Sequence, residues 1–407
     1  MNIGIVTTWF ERGAAYVSRQ FMELLQQTDE VFIYARGGEK YAIGDPKWDL
    51  PNVHWGKKDK AYLKLIGVTY IDKQDFKKWI DENQIELVFF NEQQWYTPLV
   101  WCKEWKIKTA AYIDYYTEET IPLYDIYDCL ICNTKRHAFA FRNNPNIKYL
   151  KWGTDINLYK PSSEEHEKLT FFTSAGMAPV RKGTDFVIRA FYMLKDRKKA
   201  KLLVHTQVSL EKTIPDVKPL VDELVEEGSL EIVEKTITAP GLYSKADVYV
   251  YPSRLDGIGL TLMEAASSGL ACVTIDNAPM NEFVDESFGR VCDVEYFYSR
   301  KDGYYWPLSA TDIDSLSSIM AKFVTGEENV KQMKQKAREY AERELDFSKN
   351  IAPLHDVLSE TMFHFDQAVV DRIKSYEDVG LKKIAKRLHP LASVYYHLQN
   401  YKQFKIR

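Results

Sequence analysis

Cysteine is scarce in this chain, five residues in 407, and an odd number at wide spacings builds no disulfide scaffold. Cys129 and Cys132 form a CxxC inside the apolar run YDCLICN, but no second Cys or His pair completes a zinc site, so both read as core residues of a strand. The eight histidines are scattered, with no HExxH and no helix-spaced pair beside a carboxylate. No bound metal is expected. Long apolar runs are missing too: none reaches the ~18 residues of a membrane-spanning helix, and the opening MNIGIVTTWF has neither a basic n-region nor an apolar h-region. A cytoplasmic protein is expected. Charge of one sign is also lacking, since 54 Lys and Arg against 58 acids leave a net charge of −4, which excludes a protein whose chief work is to coat nucleic acid.

What is present is ordinary globular material enriched in Tyr and Trp, 26 and 9 residues, at a length that favours two domains. The first stretch alternates short apolar strands with helical segments: Asn2 to Thr7, a loop containing Gly13, a helical AAYVSRQFMELLQQ with Val17, Phe21, Leu24 and Leu25 on one face, then EVFIYAR, IELVFFN, KTAAYID and DCLICNT. Near residue 160 the pattern breaks at Pro161 and the polar SSEEHEK. A second series follows, with strands at LTFFTSAG, AKLLVHTQ, SLEIVE, ADVYVYPS, LACVTID and GRVCD. Two parallel-sheet α/β halves are the simplest architecture. The expected divisions are 1–155, 156–345 and a helical extension 346–407.

The richest stretch is YVYPSRLDGIGLTLMEAASSGLACVTID, Tyr249 to Asp276. An apolar strand ends at Pro252, a loop with Gly257 and Gly259 follows, and a helix starts near Leu260 and stops at Gly269. Free amides and the positive end of the helix dipole make the first turn an anion site, and the glycines admit a ligand close to the backbone. Asp256 and Glu264 flank this loop, so two carboxylates beside a phosphate site suggest recognition of hydroxyls. The plainer reading is that Asp256 caps the helix and Glu264 lies on its surface.

This block resembles the signature of the family 4 glycosyltransferases of the GT-B fold, in which an acid after Pro-Ser is separated by seven intervening residues from a Glu in a Glu-Ala segment. WGTDINLYKP resembles the same family's interdomain segment, and SAGMAPVRKGTDFVIRAF its strand-loop-helix with a Lys-Gly. The resemblance runs over roughly residues 1 to 365 and is strongest from about 150 to 290. It implies two Rossmann-like domains facing a cleft, with the acceptor on the first and a nucleotide-diphosphate sugar, UDP or GDP, on the second. It also implies retention of anomeric configuration, hexosyl or N-acetylhexosaminyl transfer to a glycan, lipid-linked or protein acceptor in bacterial surface polysaccharide or glycoconjugate synthesis, and no cofactor or metal.

Carried over residue by residue, Glu264 would hold the ribose, Asp256 the donor-sugar hydroxyls and Lys182 the diphosphate. Arg181, the loop residues Gly257, Ile258, Gly259 and Leu260, the Glu282 of APMNEFV, and Gly13 would complete the donor site. Three departures stand out. Met177 occupies the place of a phosphate-binding Arg. Asp114, Tyr115 and Tyr116 stand where many members have an acceptor-side His. The glycine pair near the N-terminus is reduced to Gly13-Ala14. The first two departures motivate the alternative of a non-catalytic GT-B subunit that binds sugar nucleotide or a partner glycosyltransferase.

Other features leave alternatives open. Asp312 and Asp314 form an Asp-x-Asp, but at a helix start, where such residues cap. Tyr296, Phe297, Tyr298, Tyr304, Tyr305 and Trp306 surround the turn RKDG in an aromatic hairpin that either packs as core or stacks on sugar. From Val379 to Arg407 there are seven Lys and Arg and no acid. That segment, 381–407 in particular, fits either a helix packed on the first domain or peripheral contact with the inner face of an anionic membrane.

Overall fold

The computed structural model describes residues 1–38, 40–113 and 115–378. Asp114 and the basic segment 381–407 lie outside the described residues. Seven strands form the first sheet: β1 (Asn2–Thr7), β2 (Glu30–Ala35), β3 (Val53–Trp55), β4 (Leu87–Asn91), β5 (Lys108–Tyr112), β6 (Cys129–Cys132) and β7 (Ile147–Tyr149). All pair in parallel, in the order β3-β2-β1-β4-β5-β6-β7. A second parallel sheet holds β8 (Leu169–Gly176), β9 (Ala200–Thr206), β10 (Leu230–Glu234), β11 (Val248–Tyr251), β12 (Ala271–Ile275) and β13 (Gly289–Cys292) in the order β10-β9-β8-β11-β12-β13. These are the two Rossmann-like halves expected from the alternating pattern, and helices follow them at the C-terminal end.

The strands are apolar because both sheet faces are covered. In β6, Cys129 and Ile131 join one hydrophobic cluster while Leu130 and Cys132 join the other. Side chains alternate across a strand, so residues three apart point to opposite faces. The CxxC therefore serves two different cores. The helix Gly13–Leu25 buries Ala15, Ser18, Phe21, Met22 and Leu25, a face rotated from the Val17-centred stripe, because the small Ala15 and Ser18 allow close approach to the sheet.

Two chain crossings join the halves, and they touch each other. Thr154 accepts from Phe347 N at 3.1 Å and donates to Leu345 O at 2.8 Å, while the Trp152 and Phe347 rings meet at 5.0 Å. Gly153 has no room for a Cβ, which would lie 2.5 Å from Leu345 O. Beyond this point the chain returns to the first domain. The amide of His364 donates to Asp128 at 2.6 Å, and the helix Gln367–Glu377 buries Val369, Val370 and Ile373 in a first-domain cluster. No described helix is long and apolar enough to cross a membrane.

A two-stranded antiparallel hairpin, β14 (Val294–Tyr298) and β15 (Leu308–Thr311), extends the second domain. Its strand aromatics Tyr296, Phe297 and Tyr298 are exposed, whereas Tyr304 in the connecting loop is buried and Tyr305 and Trp306 pack against the first-domain cluster. Asp312 accepts from Ser315 N at 2.9 Å and caps the helix Ile313–Thr325. Asp312→Ala is expected to lower stability by about 1 kcal/mol, the typical worth of such a cap, with turnover unchanged. A loss of activity out of proportion to the fall in melting temperature would instead favour a metal role for the Asp-x-Asp.

Candidate functional site

In an open α/β sheet the ligand crevice lies at the carboxyl ends of the strands where the order reverses. In the second sheet that point falls between β8 and β11, and the loops after these two strands carry Lys182 and Asp256. The loops are stitched together by their backbones: Arg254 N donates to Arg181 O at 2.9 Å, and Ser253 Oγ donates to the same carbonyl at 3.1 Å. Gly183, at φ +74°, brings the β8 loop against the Pro252 carbonyl. Arg254 grips Asp185 through two hydrogen bonds of 2.7 and 2.6 Å and so ties the β11 loop to the helix Thr184–Tyr192.

Lys182 donates from Nζ to the Asp256 carboxylate and to the Tyr251 hydroxyl, and Tyr251 in turn donates to Asp256. Arg181 lies behind, donating to Leu255 O at 2.9 Å and reaching Asp256 at 3.4 Å. Burial works against an ionised Asp256, but the charges of Lys182 and Arg181 and the hydrogen bonds from Lys182 and Tyr251 outweigh it. They hold the carboxyl well below the usual carboxylate range. The other Asp256 oxygen accepts from Gly259 N at 3.2 Å and Ile258 N at 3.4 Å. Asp256 thus both shapes the turn and faces the cations, so the capping role and the site position coexist in one side chain.

Gly259, at φ +78°, caps the helix Leu260–Ser267. Among the described residues no acceptor takes the amides of Gly257, Leu260 and Thr261, which leaves donors open at the helix N-terminus beside Lys182. One turn further, Glu264 accepts the Tyr243 hydroxyl at 2.6 Å. Burial pushes the Glu264 carboxyl up, opposed by hydrogen bonds from Tyr243 and Tyr159 and by the charge of Lys182. Lys182, Asp256 and Glu264 therefore share one site. Met177 stands 75% exposed at the end of β8, with no cation in its place.

The remaining expected site residues lie along the opposite wall or the cleft between the walls. Gly13 starts the helix after β1, with open space where a Cβ would project. The preceding Arg12 pairs at 3.1 Å with Glu92, which follows β4. These two loops occupy the reversal point of the first sheet. The Tyr115 hydroxyl donates to Asp302 O at 3.0 Å and its ring stacks on Tyr304 at 5.3 Å, so it is engaged by the hairpin loop. Glu282 accepts the amides of Lys135 at 2.6 Å and Arg136 at 2.9 Å. It caps a helix of the other domain, Lys135–Ala140.

Sequence reasoning missed Tyr251, Tyr243, Arg136 and His137. The Arg136 guanidinium donates to Asp256 O at 2.6 Å and Ala278 O at 2.5 Å, and His137 reaches Gly257 O at 3.2 Å. One signal was available: Asn133-Thr134 directly follows the strand DCLIC, so Lys135, Arg136 and His137 had to fall in a first helical turn at the crevice edge.

Residues 168–299 match the family model described as glycosyl transferases group 1, a span that contains Lys182, Asp256, Glu264 and Glu282. Sequence comparison with curated proteins gives no significant match. Among solved structures, Anabaena HepE, crystallised with UDP, superposes with a TM-score of 0.69 at 13% identity over 88% of this chain and 99% of its own. A glycosyltransferase from Rickettsia africae gives a TM-score of 0.69, again at 13% identity over 88% and 99%. The sucrose-phosphate synthase of Thermosynechococcus elongatus gives 0.65 at 15% identity over 88% and 98%. The architecture shared with these structures is the GT-B fold, and residues 168–299 of it are similar to the group 1 glycosyl transferase model.

Proposed function

We propose that this protein moves a sugar from a nucleotide-diphosphate sugar, with retention of anomeric configuration, to a glycan, lipid-linked or protein acceptor held by the first domain. The observation that carries this reading is the meeting of Lys182 with Asp256 at the β8/β11 reversal point, beside free helix amides and one turn from Glu264. Lys182 and the open amides of Gly257, Leu260 and Thr261 take the charge that builds on the leaving diphosphate. Groups placed in advance where charge develops stabilise the transition state more than the ground state. Glu264, aligned by Tyr243 and Tyr159, accepts the ribose hydroxyls, and Asp256 accepts those of the donor sugar. Attack from the leaving-group face, with the departing phosphate taking the acceptor proton, needs no nucleophile from the chain. A UDP sugar is the first donor to try, because HepE was crystallised with UDP, UDP and glucose, and UDP-glucose.

The test is the melting temperature of wild type and Glu264→Ala with UDP, GDP, ADP and CDP at millimolar concentration. A ligand that binds only the native state raises the melting temperature by mass action. One nucleotide is expected to stabilise the wild type and to lose its effect in the variant. No shift with any of the four would remove the donor site. The exposed Met177 favours one second reading, a subunit that binds sugar nucleotide without turning it over. Slow hydrolysis of the donor in the absence of acceptor separates the two readings, since only an enzyme shows it.

A further inference from the structure

Two side-chain contacts that cross the cleft meet the loop after β11 directly. Arg136 and His137 belong to the first domain, yet their side chains end on the carbonyls of Asp256 and Gly257 in the second. We propose that Arg136 and His137 are positioning residues that set the donor loop Asp256–Gly259 from the opposite domain, so that its amides face the leaving diphosphate only while the cleft is closed. This rests on the donor-site reading above.

In a trans peptide the C=O and the following N–H point in opposite directions. With Asp256 O held by Arg136 and Gly257 O by His137, the amides of Gly257 and Ile258 must point away from the helix Lys135–Ala140. Gly257 N has no protein acceptor among the described residues, and Ile258 N leans on Asp256 at 3.4 Å. The clamp thus fixes the orientation of the free donors without occupying them.

Hydrogen placement along the clamp has one solution. Gly257 O only accepts, so His137 carries its proton on Nε2. Its Nδ1 must then accept from the Tyr116 hydroxyl at 2.8 Å, and the Tyr116 oxygen accepts from Trp306 Nε1 at 2.6 Å. The chain runs from the second domain through two first-domain side chains and back to the second. Burial, with Arg136 adding to it, keeps His137 in the neutral form this chain requires, at a pKa of about 3.

Arg136 is 4% exposed, yet both its Nη groups end on neutral carbonyls, those of Asp256 and Ala278, with the Trp306 ring 5.3 Å away. Burying a cation this way costs more than an apolar contact of similar size would. A site that only glued the domains together would be better served by the apolar contact. Glu282 completes the device by capping the backbone that carries Arg136.

The test uses wild type, Arg136→Lys, His137→Phe and His137→Gln of the full chain. Domain separation is measured by small-angle scattering without ligand, UDP affinity by calorimetry, and UDP-glucose hydrolysis by steady-state kinetics. Arg136→Lys and His137→Phe are expected to lower kcat about tenfold, with KM and the Kd for UDP changed less than about twofold, as for an interaction that strengthens in the transition state. His137→Gln, whose amide N–H can still reach Gly257 O, is expected to recover most of the loss, which a merely structural role would not produce. Unchanged kcat in all three variants overturns the clamp while leaving the donor site standing. If the wild type neither binds UDP nor hydrolyses UDP-glucose, the donor reading fails with UDP. Scattering then decides the clamp alone: a wider cleft in His137→Phe supports it, and an unaltered one overturns it.

Discussion

Lys182→Ala is expected to lower turnover by about 10²- to 10³-fold, the range found when one pre-placed donor to a developing negative charge is removed. The mechanism is electrostatic. As the glycosidic bond breaks, charge moves onto the diphosphate, and Lys182 is the cation that the β8 loop aims at the β11 loop, with Arg181 committed to the Leu255 carbonyl. The loss should be deepened by Asp256, which keeps its charge in the variant with only Arg181 at 3.4 Å to offset it and so repels the arriving phosphates. Breaking the pair also lowers stability, but by less than the ~3–5 kcal/mol of a fully buried pair, because both side chains keep 14% of their surface exposed. Donor hydrolysis and transfer assays, run beside a melting curve, check this. A folded Lys182→Ala enzyme with near-normal turnover would sink the assignment of the site.

Gly183→Ala should do the largest structural damage of any single methyl added near the site. At φ +74° an L-residue is already strained by ~1–3 kcal/mol, and the new Cβ would lie 2.1 Å from the Pro252 carbonyl oxygen. That neighbour is backbone and cannot rotate away, so a further ~1–3 kcal/mol of overpacking follows. The expected outcome is a fall in melting temperature on the order of 10 °C and loss of donor hydrolysis, because Lys182 shifts with the loop. Gly13→Ala is the control for stability, since a Cβ there meets nothing within 4 Å. Equal melting temperatures for the two variants would show that the close approach at Gly183 does not exist.

These two glycines show how far the sequence could be read. The loop after β11, with Asp256, Gly257, Gly259 and Glu264, was legible because a strand, a glycine turn and a helix start are local events with local signals. So was the partner loop carrying Lys182. The short edge strands β3 and β7 were not, since three residues show no period. The aromatic hairpin was half legible: its first strand could be seen, but not that the second would start only at Leu308 while Tyr304, Tyr305 and Trp306 turn to the first domain. Glu282 was placed in the right loop, yet its carboxylate turns to a helix more than a hundred residues earlier in the chain. Arg136 and His137 were missed for the same reason. Their partners are set by how two domains meet, and no pattern within either domain encodes that.

The return of the helix Gln367–Glu377 to the first domain carries a consequence for how the chain is made. Residues that cover the first core, Val369, Val370 and Ile373, leave the ribosome roughly 200 residues after the last strand of that core, a delay of about 10 to 40 seconds at ordinary elongation rates. Throughout that interval the first domain exists as an unfinished body with an apolar face open, while the second completes itself. The first domain to emerge is therefore the last to be sealed. Loss of the helix Gln367–Glu377 would therefore strip cover from the first domain's core and leave the second domain's core untouched.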